Sequence, residues 1–105
     1  MDDSKSKIKA AGVRRFTQVE LSIGPVHLRS LTQREYMAIE ANEDTNRAAW
    51  YVAMCHVDAD GNRMWGDHEI EDIANLDMSI IIELVSEINK FCLNESIGTE
   101  EAEKN

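Results

Sequence analysis

Residues 19–39 read VELSIGPVHLRSLTQREYMAI, and the change of period inside this stretch decides the fold. From Val19 to Leu28 the chain alternates, with Val19, Leu21 and Ile23 on one side, Gly24 and Pro25 as punctuation, then Val26 and Leu28. Alternation sends successive side chains to opposite faces of a half-buried strand, so a β-hairpin is predicted. A two-residue turn at Gly24 and Pro25 sets Ile23 opposite Val26 and Leu21 opposite Leu28 on the apolar face. The same register sets Glu20 opposite Arg29 and Ser22 opposite His27 on the wet face. At Thr32 the period becomes helical. Glu35 follows three residues later, the spacing of a capping box in which each side chain satisfies an otherwise orphaned backbone donor. Leu31 and Tyr36 can staple the helix start, and Tyr36, Met37 and Ile39 supply its buried face.

Downstream, residues 42–46 are capping and turn residues, and a second helix is predicted from about Asn46 to Cys55. Ala48 to Cys55 is apolar almost all round, which marks a central, buried helix. Asp58, Ala59, Asp60, Gly61 and Asn62 form a turn signal between Val57 and the pair Met64 and Trp65, giving a second short hairpin or a plain loop. Asp67 can cap a short helix that turns Ile70, Ile73 and Ala74 inward. Asp77 or Ser79 caps the last and longest helix, striped by Ile81, Leu84, Val85, Ile88, Phe91 and Cys92 at spacings of three and four. The predicted class is α+β, mainly α: a small bundle of about four helices with an N-terminal hairpin. The single domain covers residues 16–94, between a flexible basic arm at 1–15 and an acidic flexible tail at 95–105.

Charge is unevenly spread. The chain has 105 residues and a formal charge of −9, but residues 1–15 hold Lys5, Lys7, Lys9, Arg14 and Arg15 against Asp2 and Asp3. That arm carries +3, so the other ninety residues carry −12. A body this negative repels phosphate and anionic lipid, which argues against nucleic-acid or membrane partners. No apolar leader and no run of roughly 20 apolar residues is present, so a cytoplasmic protein is expected. Cys55 and Cys92 make no disulfide framework and read as reduced, buried thiols.

The chemical motifs fail on spacing. With Gly61 at the sixth position of a calcium loop, His56 falls at the first, Met64 at the ninth and Asp67 at the twelfth, so the ligands are wrong. His27, His56, His68, Cys55 and Cys92 lack finger-like spacing for zinc. Cys55 and His56 are adjacent, and on a helix their side chains diverge by about 100°. No phosphate loop or nucleophile elbow occurs, so no enzyme activity, cofactor or metal is expected. A helix-turn-helix reading meets a recognition helix, Ser79 to Leu84, that is greasy and acidic.

That helix is informative in another way. Met78, Ile80, Ile81, Ile82, Leu84 and Val85 give more apolar width than one face of a small bundle usually uses. Either the hairpin covers the excess or a partner does. The sequence reading assigns the partner surface to Ile80 and Ile82, with Met78 and Trp65 beside them. The same width could pack on a second copy, which leaves the oligomeric state open.

The order of these features resembles the tail assembly chaperones of long-tailed bacteriophages. The resemblance spans Val19 to Asn94. It rests on the hairpin leading into Val26–Glu35, the helix opened by Arg47, Ala48 and Ala49, the turn at Val57–Trp65, the acidic stretch Asp67–Asp72, and the closing helix through Ile88–Phe91. It implies a non-enzymatic protein of the infected host cytoplasm, absent from the finished virion. Its partner would be the tape-measure protein, held soluble until tail-tube subunits polymerise around it. Two other readings stay open: a structural tail or head-tail component of the virion, and a small acidic inhibitor or regulator of a host protein.

Overall fold

The computed structural model describes residues 3–42 and 46–93. Helix α1, Ser4–Ala11, precedes strands β1, Phe16–Leu21, and β2, Gly24–Arg29; α2, Gln33–Glu40, and α3, Arg47–Cys55, follow. Strand β3, His56–Val57, a 3₁₀ turn at Asp67–Glu69, α4, Ile70–Ala74, and α5, Met78–Leu93, complete the order. The fold is α+β, mainly α, with a three-stranded antiparallel sheet in the order β1-β2-β3. The acidic tail and residues 43–45 of the predicted interhelical turn lie outside the described residues.

The hairpin forms with a different register. Val19 pairs with Val26, Thr17 with Leu28 and Leu21 with Gly24, so the turn is Ser22 and Ile23, and Gly24 is the first residue of β2. Gly24 has φ +115°, a backbone state that glycine enters without strain directly after such a turn. Each strand keeps the same inward residues because the slip is even. What selects this register is its open end. The Arg15 N–H donates to Ser30 Oγ and the Ser30 N–H to the Arg15 carbonyl, both at 2.8 Å, extending the ladder by one pair. Ile23, expected opposite Val26, sits exposed at the hairpin tip.

The predicted arm is irregular only in part. Ser4–Ala11 is helical with no buried residue, while Arg14 and Arg15 belong to the body. Arg14 donates to both Glu35 carboxylate oxygens from its two terminal guanidinium nitrogens, at 3.0 and 2.9 Å, and Arg15 donates to the Phe91 carbonyl at 2.9 Å. Glu35 is also the acid of the capping box: Thr32 N–H donates to its Oε1 at 2.9 Å, and its own N–H donates to Thr32 Oγ1 at 3.2 Å. Of the face assigned to α2, Ile39 is buried and Tyr36 packs on the core, but Met37 is exposed.

Helix α3 is the centre. It packs against α2, α4, α5 and β2, and buries Ala49, Tyr51, Val52, Ala53 and Cys55. Its last carbonyls would be orphans in an apolar interior. Two arginines satisfy them: Arg29 Nε donates to the Met54 carbonyl at 2.6 Å, and Arg63 Nε to the Ala53 carbonyl at 2.9 Å. Their charges also suit the negative end of the helix dipole. Beyond α3, β3 pairs with β2, and Val57 bridges Arg63, so the second hairpin is a single bridge closed by the Asp58–Asn62 turn. The short helix starts from Gly66, whose N–H donates to Glu69 Oε1 at 2.8 Å; Asp67 instead pairs with Arg63 at 2.9 Å. Ile70 and Ile73 are buried there, and Ala74 is exposed.

Burial alone would raise the Glu35 pKa, but hydrogen bonds from Arg14 and Thr32, with the charges of Arg14 and Arg29, bring it below its ordinary 4.5. A carboxyl depressed in the fold contributes stability that is present above its unfolded pKa and is lost as pH falls through the folded value. Glu35→Ala is expected to cost about 2–3 kcal/mol at neutral pH, from the lost cap and two partly buried arginines without a counter-charge. Urea denaturation should show the gap between wild type and Glu35→Gln closing as pH drops below about 4.5.

Candidate protein-binding surface

The first half of α5 is set by its cap. Asp77 Oδ1 accepts from the Ser79 N–H at 2.9 Å and the Ser79 hydroxyl at 2.6 Å. From that start the helical repeat turns Leu84 and Ile88 into the core, with Ile81, Val85, Phe91 and Cys92 packed against it. The hairpin takes one flank of the excess width. The Ser22 N–H and hydroxyl donate to the Glu83 carboxylate at 2.8 and 2.6 Å, and Val19, Leu21 and Ile80 pack on the same core. The other flank stays open. Met78 and Ile82, one turn apart, are 69% and 59% exposed.

The four residues assigned to the surface by sequence therefore divide. Met78 and Ile82 share an outward face, while Ile80 is turned to the core on the hairpin side. Trp65 is held in the loop after β3, half-buried, with its indole N–H donating to His56 Nδ1 at 2.9 Å. Two exposed apolar residues lie outside the four assigned by sequence. Leu76 is exposed just before Met78, and Ile23 is exposed at the hairpin tip, on the flank of α5 to which Ser22 is bonded through Glu83. A lone leucine between turn residues was a legible hint. Ile23 was not, because the alternation assigns it to the buried face in the slipped register.

Beside this ridge, α3, α4 and the start of α5 enclose an open apolar groove of about 300 Å³. Its walls include Ala48, Ala49, Ile73, Ala74, Met78 and Ile81. The rim is acidic: Asp77 lies between the lining residues Leu76 and Met78, and Glu71 accepts from Asn46, another lining residue, at 2.9 Å. The Ser79 hydroxyl on Asp77, and the Ser22 hydroxyl on Glu83, hold both carboxyls below their ordinary range, so both stay anionic.

Asp58 Oδ1 accepts from the N–H groups of Asp60 and Asn62 at 2.9 and 3.0 Å, with Gly61 at φ +88°. Among the described residues no three His, Cys, Asp or Glu side chains gather as a metal site. Cys55 and Cys92 meet across α3 and α5, an adjacency that spacing gave no hint of. Their mutual hydrogen bond, with burial, pushes the Cys55 thiol up, while Cys92 is held down by that bond, the Leu31 backbone and the charges of Arg15 and Arg14.

No protein-family model, curated protein or solved structure matches the chain. No helix among the described residues is long and apolar enough to cross a membrane.

Two measurements check this surface. Ile82→Ala should shift stability by no more than about 0.5 kcal/mol, whereas Ile88→Ala, at a fully buried site, should cost about 3 kcal/mol in denaturant unfolding. Burial, then the nearby His27, lowers the His56 pKa below its ordinary 6.5. The neutral imidazole that accepts the Trp65 indole is thus favoured in the fold; its contribution is present above pH 6.5 and lost as pH falls through the lowered value. The Trp65 indole N–H resonance should hold its shift at pH 6.5 and move only at lower pH.

Proposed function

We propose that this chain is a tail assembly chaperone of a long-tailed bacteriophage, which holds the tape-measure protein soluble in the host cytoplasm before the tail tube forms. The observation that carries the reading is the open apolar ridge of Met78 and Ile82 beside an acid-rimmed groove, on a body whose net charge is strongly negative. A long helical client with apolar stripes aggregates through those stripes. A helix face laid into an apolar groove covers one of them, and the surrounding negative charge keeps the complex in solution. Such a task requires no catalytic group and no cofactor, and the negative body disfavours nucleic acid as a partner.

Co-expression supplies the test. The tape-measure protein encoded by the neighbouring gene should be soluble with the wild-type chain and should precipitate with Ile82→Glu or Met78→Glu, both of which should fold normally. Solubility retained with Ile82→Glu would sink this surface, and a genome without a tape-measure gene nearby would sink the function. Finding the chain in purified virions would point instead to a structural tail component.

A further inference from the structure

We infer that the groove between α3, α4 and the start of α5 receives helix α1 of a second copy of this chain. Helix α1 has only eight residues and none of them is buried. Isolated helices shorter than about 12–15 residues are marginal in water, and the exposed Lys7–Asp3 pair at 3.6 Å adds little. The helix therefore gains most from a surface on which to lie.

Its faces match the groove. With each residue turning about 100°, Ile8 is centred among Ser4, Ala11 and Gly12, flanked by Lys5 and Lys9 on one side and Lys7 on the other. Small neighbours let Ile8, 70% exposed, act as a single knob on a helix that can approach closely. The groove offers alanine walls and about 300 Å³ for that knob. Asp77 and Glu71, both exposed at the groove rim, supply carboxylates for lysines on the flanks of α1. The sign of the charge agrees: Ser4–Ala11 carries Lys5, Lys7 and Lys9 and no acid, against a strongly negative body.

A second copy is the occupant because the structure sets α1 off its own groove: every residue of the helix is exposed, and none of them lines the groove. Reciprocal exchange of α1 between two copies uses both grooves and closes as a two-fold dimer. The groove is the one the chaperone reading offers to a client, so α1 of a second copy occupies it when no client is bound; self-association is measured without a client, so the two can fail separately.

Sedimentation equilibrium of the full chain across a concentration series, at low and high salt, is the experiment. A reversible dimer is expected, weakened as salt rises because the lysine–carboxylate attraction is screened. Ile8→Asp, on an exposed residue that cannot disturb the core, should raise the dimer dissociation constant by about tenfold or more. Ala74→Arg, also exposed, should do the same from the groove side. A monomer at every concentration would overturn the inference, as would a dimer that tolerates both substitutions. A monomer whose α1 amides are protected from exchange would mean that α1 folds onto its own groove, and would equally overturn it.

Discussion

The carboxylate of Glu35 is where three separate parts of the chain meet. It caps the first turn of α2 through Thr32, accepts both nitrogens of Arg14 before β1, and lies 3.7 Å from Arg29 at the end of β2. One acid thus fixes how the hairpin enters the domain and how the chain leaves it for α2. The pairing is bidentate and partly buried, so it carries directional as well as Coulombic information. Arg29 passes the constraint inward, because its Nε holds the Met54 carbonyl at the end of α3. Strand, cap and central helix are therefore positioned by one connected set of polar contacts around an apolar core.

The hairpin, once placed, divides α5. An α-helix with apolar residues at Met78, Ile80, Ile81, Ile82, Leu84 and Val85 cannot bury all of them on one side. The hairpin comes down on the Ile80 flank, tied by Ser22 to Glu83, and leaves Met78 and Ile82 in solvent. The open groove lies next to those two residues, walled by alanines of α3 and α4 and by larger apolar side chains of α4 and α5. The acidic rim makes the surface selective for partners with basic flanks. Interaction capacity here is a by-product of which flank the sheet covers.

Much was legible in the sequence wherever the signal was local. The capping box at Thr32 and Glu35, the all-round apolar α3, the stripe of α5 and the inward faces of the hairpin each depend on residues a few positions apart, and periodicity reports such relations directly. The hairpin register was not legible. Sliding it by an even step leaves Val19, Leu21, Val26 and Leu28 on one face, so the alternation cannot distinguish Val19 opposite Val26 from Ile23 opposite Val26. Arg14 and Arg15 looked like part of a solvated arm because their partners, Glu35 and the Phe91 carbonyl, lie 21 and 76 residues away.

By itself, then, the sequence determined the class of fold, the hairpin strands, helices α2, α3 and α5, most of the residues each of these buries and the strong acidity of the body. Tertiary structure decided the register, the anchoring of the two arginines, the meeting of Cys55 with Cys92, and the separation of Ile82 from Ile80. Burial side follows from spacing along one element. Which neighbour covers that side follows from long-range polar contacts, and these leave no periodic trace in the chain.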